Sequence, residues 1–313
     1  MAVTKKHAGP TSTPGAVPGS KHTPHQTPLE AISHGGVVMP GIPTFPSYLE
    51  HRRHILVHMA ATFRYFARNN FTEGQAGHIS VRDPEHPGFM WMNPLGRHFG
   101  MLTAGDMICL DIASGRIVST LRGRPHARTV NAAGYLIHSA VHKRRHADVH
   151  AICHAHSNAG RAWSVFARPL DMLNQDICNV HEHQAVYAQY GGIVFGADEG
   201  ENIADALGER NKAAILMNHG LLTVGATVDE AGYLFGLMDR SCAMQLQVEA
   251  AAAGGGGMRK NVISDEEARY NFVMASEDNA LYREAQPDLE YEMQCAGGED
   301  RLAEGFETLA FAL

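Results

Sequence analysis

Several things are scarce in this 313-residue chain, and each scarcity closes off a class of function. There is no cationic excess: 26 Lys and Arg stand against 33 Asp and Glu, a formal net charge of −7, so nothing electrostatic favours nucleic acid or an anionic membrane as a partner. No uninterrupted apolar window of about 18 residues exists, and the N-terminus lacks an apolar signal core, so a cytoplasmic location without membrane contact is expected. Cysteine is sparse and scattered. Cys109, Cys153, Cys178, Cys242 and Cys295 are odd in number and form no CxxC pair, which reads as reduced thiols, with Cys153 a core residue rather than a ligand. What the chain does have is 44% hydrophobic residues, enough to bury a full core with nothing to suggest a second one, and 20 histidines.

Residues 1–45, rich in Pro, Gly, Thr and His with few large apolar side chains, read as a flexible arm. Ser47-Tyr48-Leu49-Glu50 has the form of a capping box, and Ile55, Leu56, Met59, Phe63 and Phe66 follow at helical spacing. Strands are expected at 78–82, 89–93 and 107–111, the last turning through Ser114-Gly115 into 116–119, and a helix at about 130–143. Thr227-Val228-Asp229-Glu230 and Ser264-Asp265-Glu266-Glu267 open two more helices, the first stopped by the glycine run 254–257. The main domain is placed at 46–255 and a helical C-terminal extension, ending in an acidic tail from Asp288, at 256–313.

Against that background Cys153-His154-Ala155-His156-Ser157 stands out. The apolar, partly β-branched residues before it predict a buried strand, in which alternate side chains share a face, so His154 and His156 point the same way. His219 closes a second apolar run, 213–217, and precedes Gly220, where the backbone can turn tightly. Three neutral imidazoles suit zinc, iron, cobalt, nickel or copper, and three ligands leave a position open for water or substrate. With 20 histidines in the chain, ordinary core and surface imidazoles are the competing explanation.

Gly77-His78-Ile79-Ser80-Val81-Arg82, Asn93-Pro94-Leu95-Gly96, His138-Ser139-Ala140-Val141-His142, the His-x-His strand, Tyr187-Ala188-Gln189-Tyr190-Gly191 and Asn218-His219-Gly220 form an ordered set that resembles the class II aldolase/adducin family over roughly residues 48–253. The resemblance implies an α/β/α sandwich around a largely antiparallel sheet, usually a tetramer. It implies a divalent metal on His154, His156 and His219, zinc first, with iron, manganese or cobalt as alternatives. It also implies that Tyr187 acts as the catalytic acid in a neighbouring subunit's site. Where the family's sugar-phosphate aldolases carry an asparagine, a threonine and a Ser-Ser-Glu run, this chain has His78, Leu95 and Ala132-Ala133-Gly134. Those replacements remove donors a phosphate needs. They also remove the glutamate that serves those aldolases as ligand and base.

A reaction that tolerates the loss is expected. Decarboxylation reaches an enolate directly from loss of carbon dioxide and needs no base, whereas retro-aldol cleavage needs a hydroxyl deprotonated, for which His183 or Glu182 is available. The expected activity is a metal-dependent carbon–carbon lyase on a small non-phosphorylated carboxylate, a 2-oxo, hydroxy or aromatic acid, with homo-oligomerisation and no nucleic-acid or membrane partner. The alternatives are a non-haem iron oxygenase on an aryl 2-oxo acid and a non-catalytic adducin-like module, the latter disfavoured by retention of all three histidines. His78, Asn93, Gly134 and His138, within the motifs, and Arg124, in the basic loop with Arg122 and Arg128, are the candidate substrate-facing residues.

Overall fold

A computed structural model describes residues 26–121, 128–192, 196–254 and 256–311. In chain order the elements are α1 (Pro28–Ile32), α2 (Tyr48–Arg68), β1 (His78–Arg82), β2 (Phe89–Met92), β3 (Ile108–Asp111), β4 (Ser119–Leu121), α3 (Ala132–Arg144), β5 (Ala151–Ala155), α4 (Asn158–Ser164), β6 (Gln184–Tyr187), α5 (Ala197–Leu207), β7 (Ala213–Leu216), β8 (Gly220–Gly225), α6 (Val228–Ala253), α7 (Asp265–Ala275), α8 (Asp278–Ala296), α9 (Glu299–Leu302) and β9 (Leu309–Phe311). Seven strands form one sheet in the order β3-β2-β1-β5-β8-β7-β6, and only the β6–β7 pairing is parallel. Helices cover both faces, the expected α/β/α sandwich.

The pleat decides which helix each strand residue meets. Ile79, Val81, Cys153 and Ala155 pack with Phe63 and Phe66 of α2, Phe235 of α6 and Leu281 and Leu289 of α8. On the other face Ile152, Leu222 and Val224 meet Ile137 and Val141 of α3 and Ile203 and Leu207 of α5. Leu281, Ala285, Leu289 and Leu302, from the segment read as an extension, belong to the same core as Phe63.

The cap chemistry is partly as the sequence spells it. Ser264 and Glu267 form the full reciprocal box. Ser47 accepts from the Glu50 amide at 3.2 Å. Thr227 accepts from the Glu230 amide at 3.1 Å, but the Glu230 carboxylate turns to the Ala226 amide and the Lys212 ammonium instead of to the cap.

Two expectations are corrected. The acidic segment from Asp288 continues helix α8, which runs through Pro287, and Leu281, Ala285 and Leu289 pack on both sides of the proline. Burial there offsets the roughly 3 kcal/mol that an interior proline costs a helix. The turn after β3 leads through a single bridge, Leu110 with Ile117, into β4 at 119–121, which pairs with the C-terminal β9.

Phe235 is fully buried against Phe66 and Phe71, with ring centroids 4.8 and 5.3 Å away. Phe235→Ala is expected to lower unfolding free energy by about 3–5 kcal/mol, read as a shift of the urea midpoint with little change in slope.

Candidate metal centre and the pocket around it

Strand β5 sits between β1 and β8, and its register brings three elements to one place: His154 faces His78 of β1 on one side and Leu222 of β8 on the other. His156 lies just past the end of β5. His219 is delivered by the β7–β8 turn, where Asn218 has φ 57° and Gly220 φ 151°. A Cβ at Gly220 would also sit 3.3 Å from the Ala155 carbonyl oxygen, so the close approach of the turn to β5 favours glycine.

One nitrogen from each of His154, His156 and His219 lies within 4.8 Å of the other two. The rings are 4.7 to 5.2 Å apart between centroids and mutually near-perpendicular, so they converge rather than stack. His154 Nδ1–H donates to the Leu221 carbonyl at 2.8 Å, which leaves Nε2 as the lone pair. Burial is the first reason all three stay neutral. The neighbouring imidazoles add to it for His154, which is held well below its ordinary pKa, and for His219, which is lowered to about 4. Beside His156 the Arg161 charge adds to burial. Neutral rings with free lone pairs at this spacing fit a divalent ion.

The surrounding cavity, of about 590 Å³, is lined by His78, Leu95, Ala132, Ala133, Tyr190 and Arg161, among others. Four of the positions where this chain departs from the phosphate-binding pattern therefore face the pocket. Gly134 does not line it but makes room in it. A Cβ there would stand 2.6 Å from Cδ2 of His78, so the imidazole takes up space that any side chain at 134 would need.

Behind His78 lies a buried polar ladder between β1 and α3. His78 Nδ1 is 2.8 Å from His138 Nε2, His138 Nδ1 is 2.7 Å from Ser80 Oγ, and Ser80 Oγ is 2.8 Å from His142 Nε2. Arg82 closes it, donating to the His142 carbonyl at 2.8 Å and toward His142 Nδ1 at 3.3 Å. Each link is an imidazole or a hydroxyl that can donate or accept, and the His142 ring also meets the Val149 carbonyl, so the ladder fixes the orientation of the rings while the proton order follows the His142 tautomer. His78 Nε2 is the ring nitrogen left for the pocket.

The other candidates fall elsewhere. Asn93 is structural, its Oδ1 accepting from the Ile79 amide at 3.3 Å. His138 is fully buried behind His78 rather than in the cavity. Within one protomer Tyr187, Glu182 and His183 do not line the pocket. The Tyr187 hydroxyl donates to Glu199 at 2.8 Å, Glu182 pairs with Arg269 at 2.9 Å, and His183 stacks on Phe272 at 4.2 Å. Arg124 and Arg122 lie outside the described residues, and Arg128 borders a different cavity.

Arg161 was not foreseen. It lies one helical turn into α4, pairs with Glu73 at 2.9 Å and, among the described residues, is the guanidinium on the pocket wall. Its only sequence signal is its place five residues after His156, behind a serine that starts a helix.

Comparison with known proteins agrees with this geometry. The family model described as the class II aldolase and adducin N-terminal domain matches residues 57–246. Among curated proteins, 4-hydroxy-3-prenylphenylpyruvate oxygenase/4-hydroxy-3-prenylbenzoate synthase of Streptomyces roseochromogenus is 42% identical over 67% of this chain and 73% of its own. Decarboxylase NovR of Streptomyces niveus is 42% identical over 67% of this chain and 75% of its own. Among solved structures, L-fuculose 1-phosphate aldolase from Glaciozyma antarctica superposes with a TM-score of 0.72 at 35% identity, covering 82% of this chain and 95% of that one.

The ladder predicts an acid-sensitive fold. His138 and His142 are held well below their ordinary pKa by burial first, with neighbouring imidazoles next for His138 and the Arg82 guanidinium next for His142. Between that lowered pKa and about 6.5 the unfolded chain binds protons that the native one does not, so stability falls as pH drops through this window. The slope is up to about 1.4 kcal/mol per pH unit for each ring. Urea midpoints should fall from pH 7.5 to 5.5, and His142→Gln should flatten the fall.

Proposed function

The chain belongs to the class II aldolase and adducin family, and from that premise we propose that it is a metal-dependent carbon–carbon lyase acting on a small non-phosphorylated carboxylate, with decarboxylation preferred over aldol cleavage. The observation that carries this reading is the pairing of three converging neutral imidazoles with Gly134, whose missing side chain leaves its space to His78. A site so built would offer a Lewis acid, and the carboxylate near it, Glu73, is held by Arg161. That suits a reaction whose first step is loss of carbon dioxide, because no C–H or O–H proton has to be taken up.

His154, His156 and His219 would hold the ion, zinc first, with iron, manganese or cobalt as alternatives. A divalent ion there stabilises negative charge developing on a substrate oxygen. In the tautomer with its proton on Nε2, His78 would donate to a substrate oxygen without carrying charge of its own. Arg161 takes the substrate carboxylate, for which a guanidinium is shaped.

Tyr187 delivers the proton to carbon from a neighbouring subunit of a homo-oligomer, a tetramer in this reading. Burial first, and Glu199 second, raise the pKa of its phenol, so it is protonated at neutral pH. Glu182 and His183, engaged by Arg269 and Phe272, enter the aldol alternative only across the same boundary. The solved neighbour is named for a sugar phosphate. His78, Leu95, Ala132 and Ala133 on the pocket wall argue against a phosphate here, since Leu95 and the two alanines offer it no side-chain donor. No helix among the described residues is long and apolar enough to cross a membrane, which accords with a cytoplasmic enzyme.

A second reading has its own support, the 42% identity to a protein named for oxygenase chemistry on an aryl pyruvate. The two differ in their need for oxygen. A lyase turns over a 2-oxo acid that carries a second carboxylate β to its oxo group under nitrogen with zinc or manganese, whereas an oxygenase consumes oxygen with an aromatic 2-oxo acid and is silent with zinc. His156→Ala should lose bound metal, read by elemental analysis, together with turnover. If metal stays bound at full stoichiometry, the ligand assignment fails. Tyr187→Phe should keep its metal and lose about 10²–10⁴ in rate, and an unchanged rate would remove the tyrosine from the mechanism.

A further inference from the structure

Arg128, read from the sequence beside a substrate carboxylate, borders instead a second cavity of about 560 Å³ that shares no lining residue with the metal pocket. Four guanidinium groups meet there, those of Arg64, Arg97, Arg128 and Arg301, and the carboxylates facing them are Asp106 and Glu304. Four positive charges stand against these two carboxylates, with a third, Glu292, acting on Arg64 from outside the lining while paired with Arg68, in a chain whose net charge is −7.

Three of these arginines, Arg64, Arg97 and Arg128, are held in place by the protein. Arg97 and Arg128 share Asp106, each at 2.9 Å, and that carboxylate is buried. Three of the four are tethered to carbonyls of one short segment. Arg97 donates to Met101 O at 3.2 Å, Arg64 to Leu102 O at 3.5 Å and Arg128 to Gly105 O at 3.1 Å. Arg64 takes part in no ion pair among the described residues, and its Nε–H is buried without a hydrogen-bond partner. Arg301 closes the cluster from the C-terminal end, paired with Glu304.

Holding like charges together on a fixed frame is unfavourable until an anion arrives, and the frame has already met the ordering cost of binding one. A guanidinium fork matches the planar oxygens of a carboxylate or the face of a phosphate. We propose that this cavity is a binding site for a small dianion, a phosphate ester or a dicarboxylate, separate from the metal centre. It is independent of the reaction assigned to that centre.

Calorimetric titration of the full-length protein with inorganic phosphate and, separately, malonate at low ionic strength tests it. One anion should bind per chain. Arg97→Gln with Arg301→Gln, at exposed side chains whose loss leaves the fold intact by circular dichroism, should weaken binding at least about tenfold, the effect of losing charge-assisted hydrogen bonds. His156→Ala should bind as the parent does. Phosphate binding alone points to a phosphate ester, malonate alone to a dicarboxylate, and both together to a general dianion site. The proposal is overturned if neither anion binds, if the double variant binds as tightly as the parent, or if His156→Ala abolishes binding. It is equally overturned if the double variant changes only the oligomeric mass, since the cluster would then face another copy of the chain.

Discussion

The pairing of β5 between β1 and β8 is the constraint on which the rest depends. A central strand is locked on both edges, and a slip of one residue would turn every side chain to the opposite face. In the register observed, Cys153 and Ala155 enter the core beneath α2 and α6 while Ile152 and His154 turn toward α3. The same pairing sets His78 opposite His154 and brings the β7–β8 turn, with His219, to the end of the strand. The apolar residues of β5 thus fix, by where they must be buried, where the imidazoles must meet.

On the α3 side the sheet departs from the usual apolar facing. His78, Ser80 and Arg82 alternate along β1, and His138 and His142 lie one turn apart on α3, so two periodicities meet in a line of polar side chains. Burying such groups is costly unless each finds a partner. Here His78 Nδ1 and both nitrogens of His138 and His142 find one, with a donor-only group at one end. The consequence for chemistry is that His78 meets the pocket as a neutral ring of fixed orientation. Glycine at 134 is part of the same arrangement, since the ring stands where a side chain would be.

The C-terminal segment illustrates packing overriding local preference. A proline within an acidic stretch reads as the end of a helix, yet α8 continues across Pro287 because apolar residues on both sides of it are buried against α2 and α6. β9 then returns to pair with β4, and Phe311 packs near Trp91 and Arg52. The same part of the chain supplies Arg301 and Glu304 to the arginine-lined cavity, so the C-terminal residues complete both the core and a charged surface feature.

The sequence by itself determined the elements with strong periodicity and the meeting of three histidines. Alternation put His154 and His156 on one face, Gly220 marked the turn that carries His219, and the ordered motifs pointed to the sandwich. These signals are local, or lie at the ends of strands whose burial is plain from composition. Only the tertiary structure decided what faces what. Asn93 and His138 sit in the right motifs but support the pocket wall from behind, because a strand edge and a helix face separate them from it. Arg161 and Arg128 exchange the roles their surroundings suggest, one joining the pocket and the other a distant cavity. A guanidinium's reach depends on where the folded backbone aims it, and no spacing along the chain records that direction.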